Sequence, residues 1–241
     1  MLPLFNKNYF IEGKIKLPSH KLEGKTPGNQ IFHYCSANLD TSKHPSTSEY
    51  IAKHFQEALV FENDAEILLH AIQKGVKNNL ILEFGVCSGK TINFIAGNNP
   101  LSHIYGFDSF EGITENWQDF IPKNTFELLD KSISPPLLTN VVLIKGKFEK
   151  TLPLFANKVK QSFIGFMHID CDTYLSTKTI FTYLKQNVKK GTIILFDEYF
   201  NYEGWENHEY KAFLEFINDT QLKYKYVAYN RLHQQVLVEI T

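Results

Sequence analysis

Four carboxylates stand just beyond two apolar runs. Asp170 and Asp172 follow Phe166-Met-His-Ile169, and Asp197-Glu198 follow Ile193-Ile-Leu-Phe196. If these runs are neighbouring strands, Asp170, Asp197 and Glu198 converge on one rim. Carboxylates that close repel and raise one another's pKa unless a cation neutralises them. An all-oxygen set completed by water describes a hard divalent ion such as Mg²⁺. Such an ion can hold a substrate hydroxyl and lower its pKa towards neutrality. Three roles are open to Asp172: ligand, base, or cap of a helix starting near Tyr174, with Thr173 and Ser176 competing to cap. His208, in Trp205-Glu-Asn-His-Glu209, is a further candidate base; its plainer reading is a solvated surface histidine.

A second constellation precedes the first. Glu83-Phe-Gly-Val-Cys-Ser-Gly89-Lys-Thr91 follows the run Leu80-Ile-Leu82. Glycines there let backbone approach a ligand, and the following helix offers its N-terminus to negative charge. The spacing counts against a phosphate-binding P-loop, which needs four residues between its glycines; Gly85 and Gly89 enclose three. Nor is it a dinucleotide fingerprint, because Cys87 stands at the second glycine. It suits a nucleoside without a bridging pyrophosphate. Asp108 closes the next apolar run, 23 positions after Gly85, where an acidic residue can accept hydrogen bonds from ribose hydroxyls.

The elements that must position these groups alternate along the chain. Apolar runs begin at Leu80, Ile104, Val141, Ile164 and Ile193, with helical stretches expected near 89–98, 149–160, 174–188 and 206–219. Short runs rich in β-branched and aromatic residues suit strands buried on both faces. The runs at 224–229 and 235–239 are too close for a parallel crossover and must pair antiparallel. The expected fold is α/β: a doubly wound, Rossmann-like seven-stranded sheet, mostly parallel, with a C-terminal antiparallel hairpin and helices on both faces. Residues 1–45 read as an N-terminal arm and 46–241 as one domain, with a helical cap at 46–75 and the core at 78–241. The segment 111–140, with Trp117, Phe120 and Pro135-Pro136, is long enough for a lid. Tyr199, Tyr202 and Trp205 offer faces for a sugar ring, or pack in the core.

Composition excludes several classes. With 43% apolar and 14% aromatic residues, 241 residues can bury a large core. Cys35, Cys87 and Cys171 are far apart, which reads as reduced thiols in a cytoplasmic protein. No stretch has the length of a membrane helix, and the first residues lack a signal-peptide pattern. Twenty-five basic residues nearly balance 26 acidic ones, so no global field draws nucleic acid or anionic membrane.

Taken together, Glu83-Phe-Gly-Val-x-Ser-Gly, Gly106-Phe-Asp-Ser-Phe-Glu-Gly112, Gly146-Lys-Phe-Glu-Lys-Thr-Leu-Pro153, His168-Ile-Asp-Cys-Asp-Thr-Tyr174 and Phe196-Asp-Glu-Tyr199 resemble class I S-adenosylmethionine-dependent methyltransferases, most closely the macrocin/mycinamicin sugar O-methyltransferase family. The resemblance covers roughly residues 78–240. It implies S-adenosylmethionine held by Glu83, Gly85, Ser88 and Gly89 at its methionine part, by Asp108, Ser109 and Phe110 at the ribose, and by Lys147-Phe148 near the adenine. It also implies Mg²⁺ on Asp170, Asp197 and Glu198, where the family has Asp-Asp for the last two. Asp170, Asp172 and His208 are the implied catalytic candidates. The acceptor would be a small hydroxylated molecule, with sugars and nucleotide-linked sugars among the candidates, and a homo-oligomer is allowed. Competing readings are a phenolic or phosphate-type acceptor on the same fold, a P-loop-like nucleotide hydrolase, and a binding module without catalysis.

Overall fold

The computed structural model describes residues 45–75, 78–117, 121–130 and 133–241. The expected arm lies outside these residues except for Pro45, as do Cys35 and Phe120.

The first elements differ from expectation. The helical cap over 46–75 is instead α1 (Pro45–His54), strand β1 (Leu59–Phe61) and α2 (Asp64–Lys74). Leu59-Val60-Phe61 favours extended backbone, and Asn63 then restarts the helix as its N-cap. The Asn63 side chain accepts from the amides of Ala65 (2.9 Å) and Glu66 (3.1 Å). Helical bonding runs to Phe55, whose N–H donates to Ile51 O at 2.9 Å, and the chain leaves it before Leu59. α1 is fixed by Tyr50, whose hydroxyl lies 2.5 Å from that of Tyr226.

The remaining elements follow the alternation: β2 (Leu80–Phe84), α3 (Lys90–Asn98), β3 (Ile104–Asp108), β4 (Val141–Lys145), α4 (Phe148–Lys158), β5 (Ile164–Ile169), α5 (Tyr174–Leu184), β6 (Ile193–Phe196), α6 (Glu209–Thr220), β7 (Tyr224–Asn230) and β8 (Val236–Ile240). They form one eight-stranded sheet in the order β1-β7-β8-β6-β5-β2-β3-β4. Only β8 runs against its neighbours β6 and β7, while β1 pairs parallel with β7. The sheet therefore has one strand more than expected, and β1 rather than the hairpin forms that edge. Alternate strand residues enter two cores. Leu82, Ile194 and Phe196 pack with α4, α5 and α6, whereas Ile81, Ile193 and Leu195 pack with α2 and α3. No helix among the described residues is long and apolar enough to cross a membrane.

Strand register creates the site. Phe107, Phe84, Ile169 and Phe196 are paired across β3, β2, β5 and β6. The next row is Asp108, Gly85, Asp170 and Asp197, tied by Gly85 N–H to Phe107 O, Asp170 N–H to Phe84 O and Asp197 N–H to Ile169 O, each 2.9 Å. The chain order reverses between β2 and β5, which opens the crevice where ligands bind in such sheets.

Candidate active site

A cavity of about 440 Å³ opens at this rim. Gly85, Val86, Cys87, Ser88, Asp108, Ser109 and Phe148 line one side; Asp170, Asp172, Asp197 and Glu198 line the other.

On the first side, Asp108 serves the protein before any ligand. Its Oδ2 accepts the amides of Val86 and Cys87, both at 2.8 Å, and its Oδ1 accepts that of Phe110 at 2.7 Å. Cys87 and Phe110 both have left-handed backbone, at φ 45° and 58°, so the carboxylate fixes two turns that the chain would not hold alone. Burial raises the Asp108 pKa, and the three amides oppose it. Gly85 has a reason different from ligand approach. At φ +96°, a Cβ there would lie 1.7 Å from the Asp170 carbonyl oxygen, so glycine lets β2 and β5 meet.

Three further candidates for this side lie off the cavity wall. Gly89 lies outside the cavity lining, capped by Pro135, Pro136 and Leu137. Phe110 is turned into the core, with the Lys145 ammonium 5.6 Å from its ring centre. Glu83 is wholly buried beneath the floor, accepting from Thr91 Oγ1 at 3.0 Å. The segment 111–140 supplies wall residues Gly112, Ile113, Thr114, Trp117 and Phe126.

On the second side, carboxylate oxygens of Asp170, Asp172 and Glu198 lie within 4.8 Å of one another. Asp172 reaches this cluster from a three-residue turn closed by Thr173 N–H to Cys171 O at 2.6 Å, with Asp172 at φ 63°. It does not cap α5: Thr173 takes that position, and its hydroxyl donates to Ser176 Oγ at 2.8 Å. The Asp197 carboxylate is held from behind, its Oδ1 accepting from Gln235 Nε2 at 2.7 Å and lying 3.5 Å from His168 Nε2. The other nitrogen of His168 is 3.1 Å from Glu83 Oε2. Burial alone would lower the His168 pKa, but Asp197 and Glu83 outweigh it and raise it well above the usual value. Burial, reinforced by Asp197, pushes Asp170 and Glu198 well above the carboxylate range and Asp172 up to about 7.

His208 is not brought to the cavity. Its ring centre lies 6.0 Å from that of Tyr202 and its Nδ1 is buried. Tyr199, Tyr202 and Trp205 are likewise core residues. The sequence reading missed Gln235 behind Asp197 and Glu209 behind Glu198, where Glu209 Oε2 accepts the Glu198 amide at 3.2 Å. It also missed His233 and Gln234, which line the cavity from the β7–β8 turn. An acid at a helix start is common, so Glu209 carries no sequence signal that distinguishes it.

The cavity fits the groups that the motifs imply. Phe148 offers an aromatic face and Ser109 and Asp108 offer polar atoms for a nucleoside, while the acidic rim complements a cationic donor. For a divalent cation, the donor set is all oxygen, and Glu198 Oε2 is buried without a hydrogen-bond partner.

A family model described as a methyltransferase domain matches residues 82–199. The calicheamicin methyltransferase CalS11 superposes with a TM-score of 0.56 at 18% identity, over 84% of this chain and 82% of that one. An apo structure of CalS11, described as a TDP-rhamnose 3'-O-methyltransferase of calicheamicin biosynthesis, gives 0.50 at 19% identity, over 83% and 91%. The O-methyltransferase NovP gives 0.52 at 18% identity, over 73% and 79%. Identities this low speak for the fold alone. No curated protein sequence matches the chain. Family match and fold agree: residues 82–199 form an S-adenosylmethionine-dependent methyltransferase domain.

Proposed function

We infer that the protein is a Mg²⁺-dependent O-methyltransferase acting on a hydroxyl of a sugar, glycan precursor or related small molecule. One observation carries the reading: a buried carboxylate cluster shares a cavity with the nucleoside cradle. Bound S-adenosylmethionine supplies an electrophilic methyl group, and Mg²⁺ supplies Lewis acidity at the acceptor hydroxyl. Asp170, Asp197 and Glu198 would hold the cation. Gln235 and His168 both address Asp197 Oδ1, which fixes that carboxylate from its far side in the manner of outer-shell partners. Asp172 is the base of this reading, a carboxylate within 4.8 Å of the Asp170 and Glu198 oxygens that would take the acceptor's proton. Trp117, Ile113 and Leu175 form apolar wall that limits water and suits the less polar face of an acceptor. The description of CalS11 as a TDP-rhamnose 3'-O-methyltransferase favours a sugar hydroxyl over a phenol or phosphate.

The test is methyl transfer from S-adenosylmethionine to a panel of sugars, nucleotide-linked sugars, phenols and phosphates, with Mg²⁺ and with EDTA. Turnover on sugar hydroxyls that EDTA removes and Mg²⁺ restores is the expected result. Metal-independent turnover would defeat the reading. Asp172→Asn should bind cofactor normally and turn over at least about a hundredfold more slowly.

A further inference from the structure

Two glutamines follow one another in the β7–β8 turn, and their amides are used differently. The Gln235 amide is spent within the protein: its Nε2 donates to Asp197 Oδ1 at 2.7 Å, and its Oε1 accepts from Asn230 Nδ2 at 3.0 Å. Gln234 is 5% exposed and lines the cavity, yet its Oε1 has no hydrogen-bond partner among the described residues. A buried carbonyl oxygen gives up its hydration on folding and regains nothing until a donor meets it.

The backbone fixes where this side chain stands. Tyr199 N–H donates to Gln234 O at 3.0 Å, Asn230 N–H to Gln235 O at 2.9 Å and Asn201 Nδ2 to His233 O at 3.2 Å. Phe196 pairs with Val236, and continuing that antiparallel register sets Gln235 opposite Asp197 and Gln234 opposite Glu198. Strand order then gives the cavity a direction: the cradle at β3 and β2, the acids at β5 and β6, and Gln234 at the entry to β8. In-line transfer puts the acceptor on the side of the acids away from the methyl donor. That side holds Gln234 and Trp117, whose ring lies 5.6 Å from that of Tyr202, itself a donor to Glu198 O at 3.2 Å.

We propose that Gln234 is a specificity-determining residue: its carbonyl oxygen accepts a hydrogen bond from a second hydroxyl of the acceptor, one that is not methylated. This rests on the sugar-hydroxyl reading above and narrows it to polyhydroxylated acceptors. A carbonyl oxygen selects a donor, so an ether, a phosphate oxygen or a bare ring carbon at that place leaves it unpaired.

Gln234→Leu keeps nearly the same size and removes the hydrogen bond. The full chain with Mg²⁺ is assayed on TDP-rhamnose, UDP-glucose, methyl glucoside and catechol, and the sugar turned over fastest is compared with its monodeoxy analogues. For that sugar, Gln234→Leu should raise KM about tenfold, with kcat and the KM values for S-adenosylmethionine and Mg²⁺ within about twofold. Calorimetry on the S-adenosylhomocysteine complex should show the same loss of sugar affinity. One monodeoxy analogue should carry that penalty on wild type and no further penalty on Gln234→Leu, the non-additivity of a shared contact. The melting temperature without acceptor should stay at or above that of wild type, because the leucine leaves no carbonyl oxygen buried without a partner. An unchanged sugar KM, or additive losses for every monodeoxy analogue, overturns the role of Gln234 and leaves Mg²⁺-dependent sugar methylation standing. A lowered melting temperature shows that the amide serves the fold and overturns it too. A wild-type protein that methylates no sugar of the panel ends both.

Discussion

The two sides of the cavity are built on opposite electrostatic plans. At the ends of β2 and β3, the Asp108 carboxylate meets three backbone amides within 2.8 Å, so the cradle completes itself in the free protein. At the ends of β5 and β6, Glu198 Oε2 and Glu209 Oε1 are buried without partners, among three other carboxylates. The first side adds to stability and is preformed for its ligand; the second subtracts from stability until a cation arrives. Gly85 joins them, with no room for a side chain against Asp170.

Separating the two sides by mutation gives the sharpest check. Asp170→Asn should lower turnover by about a thousandfold while S-adenosylmethionine affinity, measured calorimetrically, stays within about threefold. A parallel fall in both would mean that the sides are not independent. Gly85→Ala should strike both at once. The new Cβ meets the Asp170 carbonyl at 1.7 Å, and denaturant unfolding should register a loss of about 3 kcal/mol. Asp108→Ala should be selective in the other direction, with about 2 kcal/mol of stability lost and cofactor affinity reduced, but Mn²⁺ affinity unchanged.

A smaller effect separates the sides by pH. Asp170, Asp172, Glu198, Glu209 and His168 all have raised values, so the folded protein binds more protons than the unfolded chain above the ordinary carboxylate range. Their stabilisation is present at low pH and is lost as pH rises through the folded values, about 7 for Asp172. The metal-free melting temperature should therefore fall between about pH 5 and 8, and Mg²⁺ should flatten that slope. His54, His70 and His208 are lowered and act oppositely, which limits the acid end. A metal-free slope of the reverse sign would contradict the charge assignment. Smallest of all, His208→Ala should leave turnover within about twofold, because its ring packs on Tyr202 outside the cavity.

Much of the site was legible from residue types at strand ends. Asp108, Asp170 and Asp197 each stand at the end of a mostly apolar run, where the first carboxylate marks its termination. Gly85 was legible as a special position but for another reason, since what it approaches is β5. Leu59–Phe61 was read as helix because three residues fit either period, and only pairing with β7 decides between them. Tyr199 and Trp205 offered either a sugar face or core packing, and burial against α6 and α1 settled it.

The amino-acid sequence alone determined the alternation of strands and helices and the chemistry gathered at the strand ends, because both rest on local patterns of burial and turn formation. Tertiary structure alone decided where each carboxylate points: Asp108 to loop amides, Asp197 to Gln235, Asp172 into the cluster, and Glu209 to the Glu198 amide. A side chain's direction depends on hydrogen-bond partners distant in sequence, 38 residues for Asp197 and Gln235 and 85 for Glu83 and His168, and no local pattern encodes a partner at that distance.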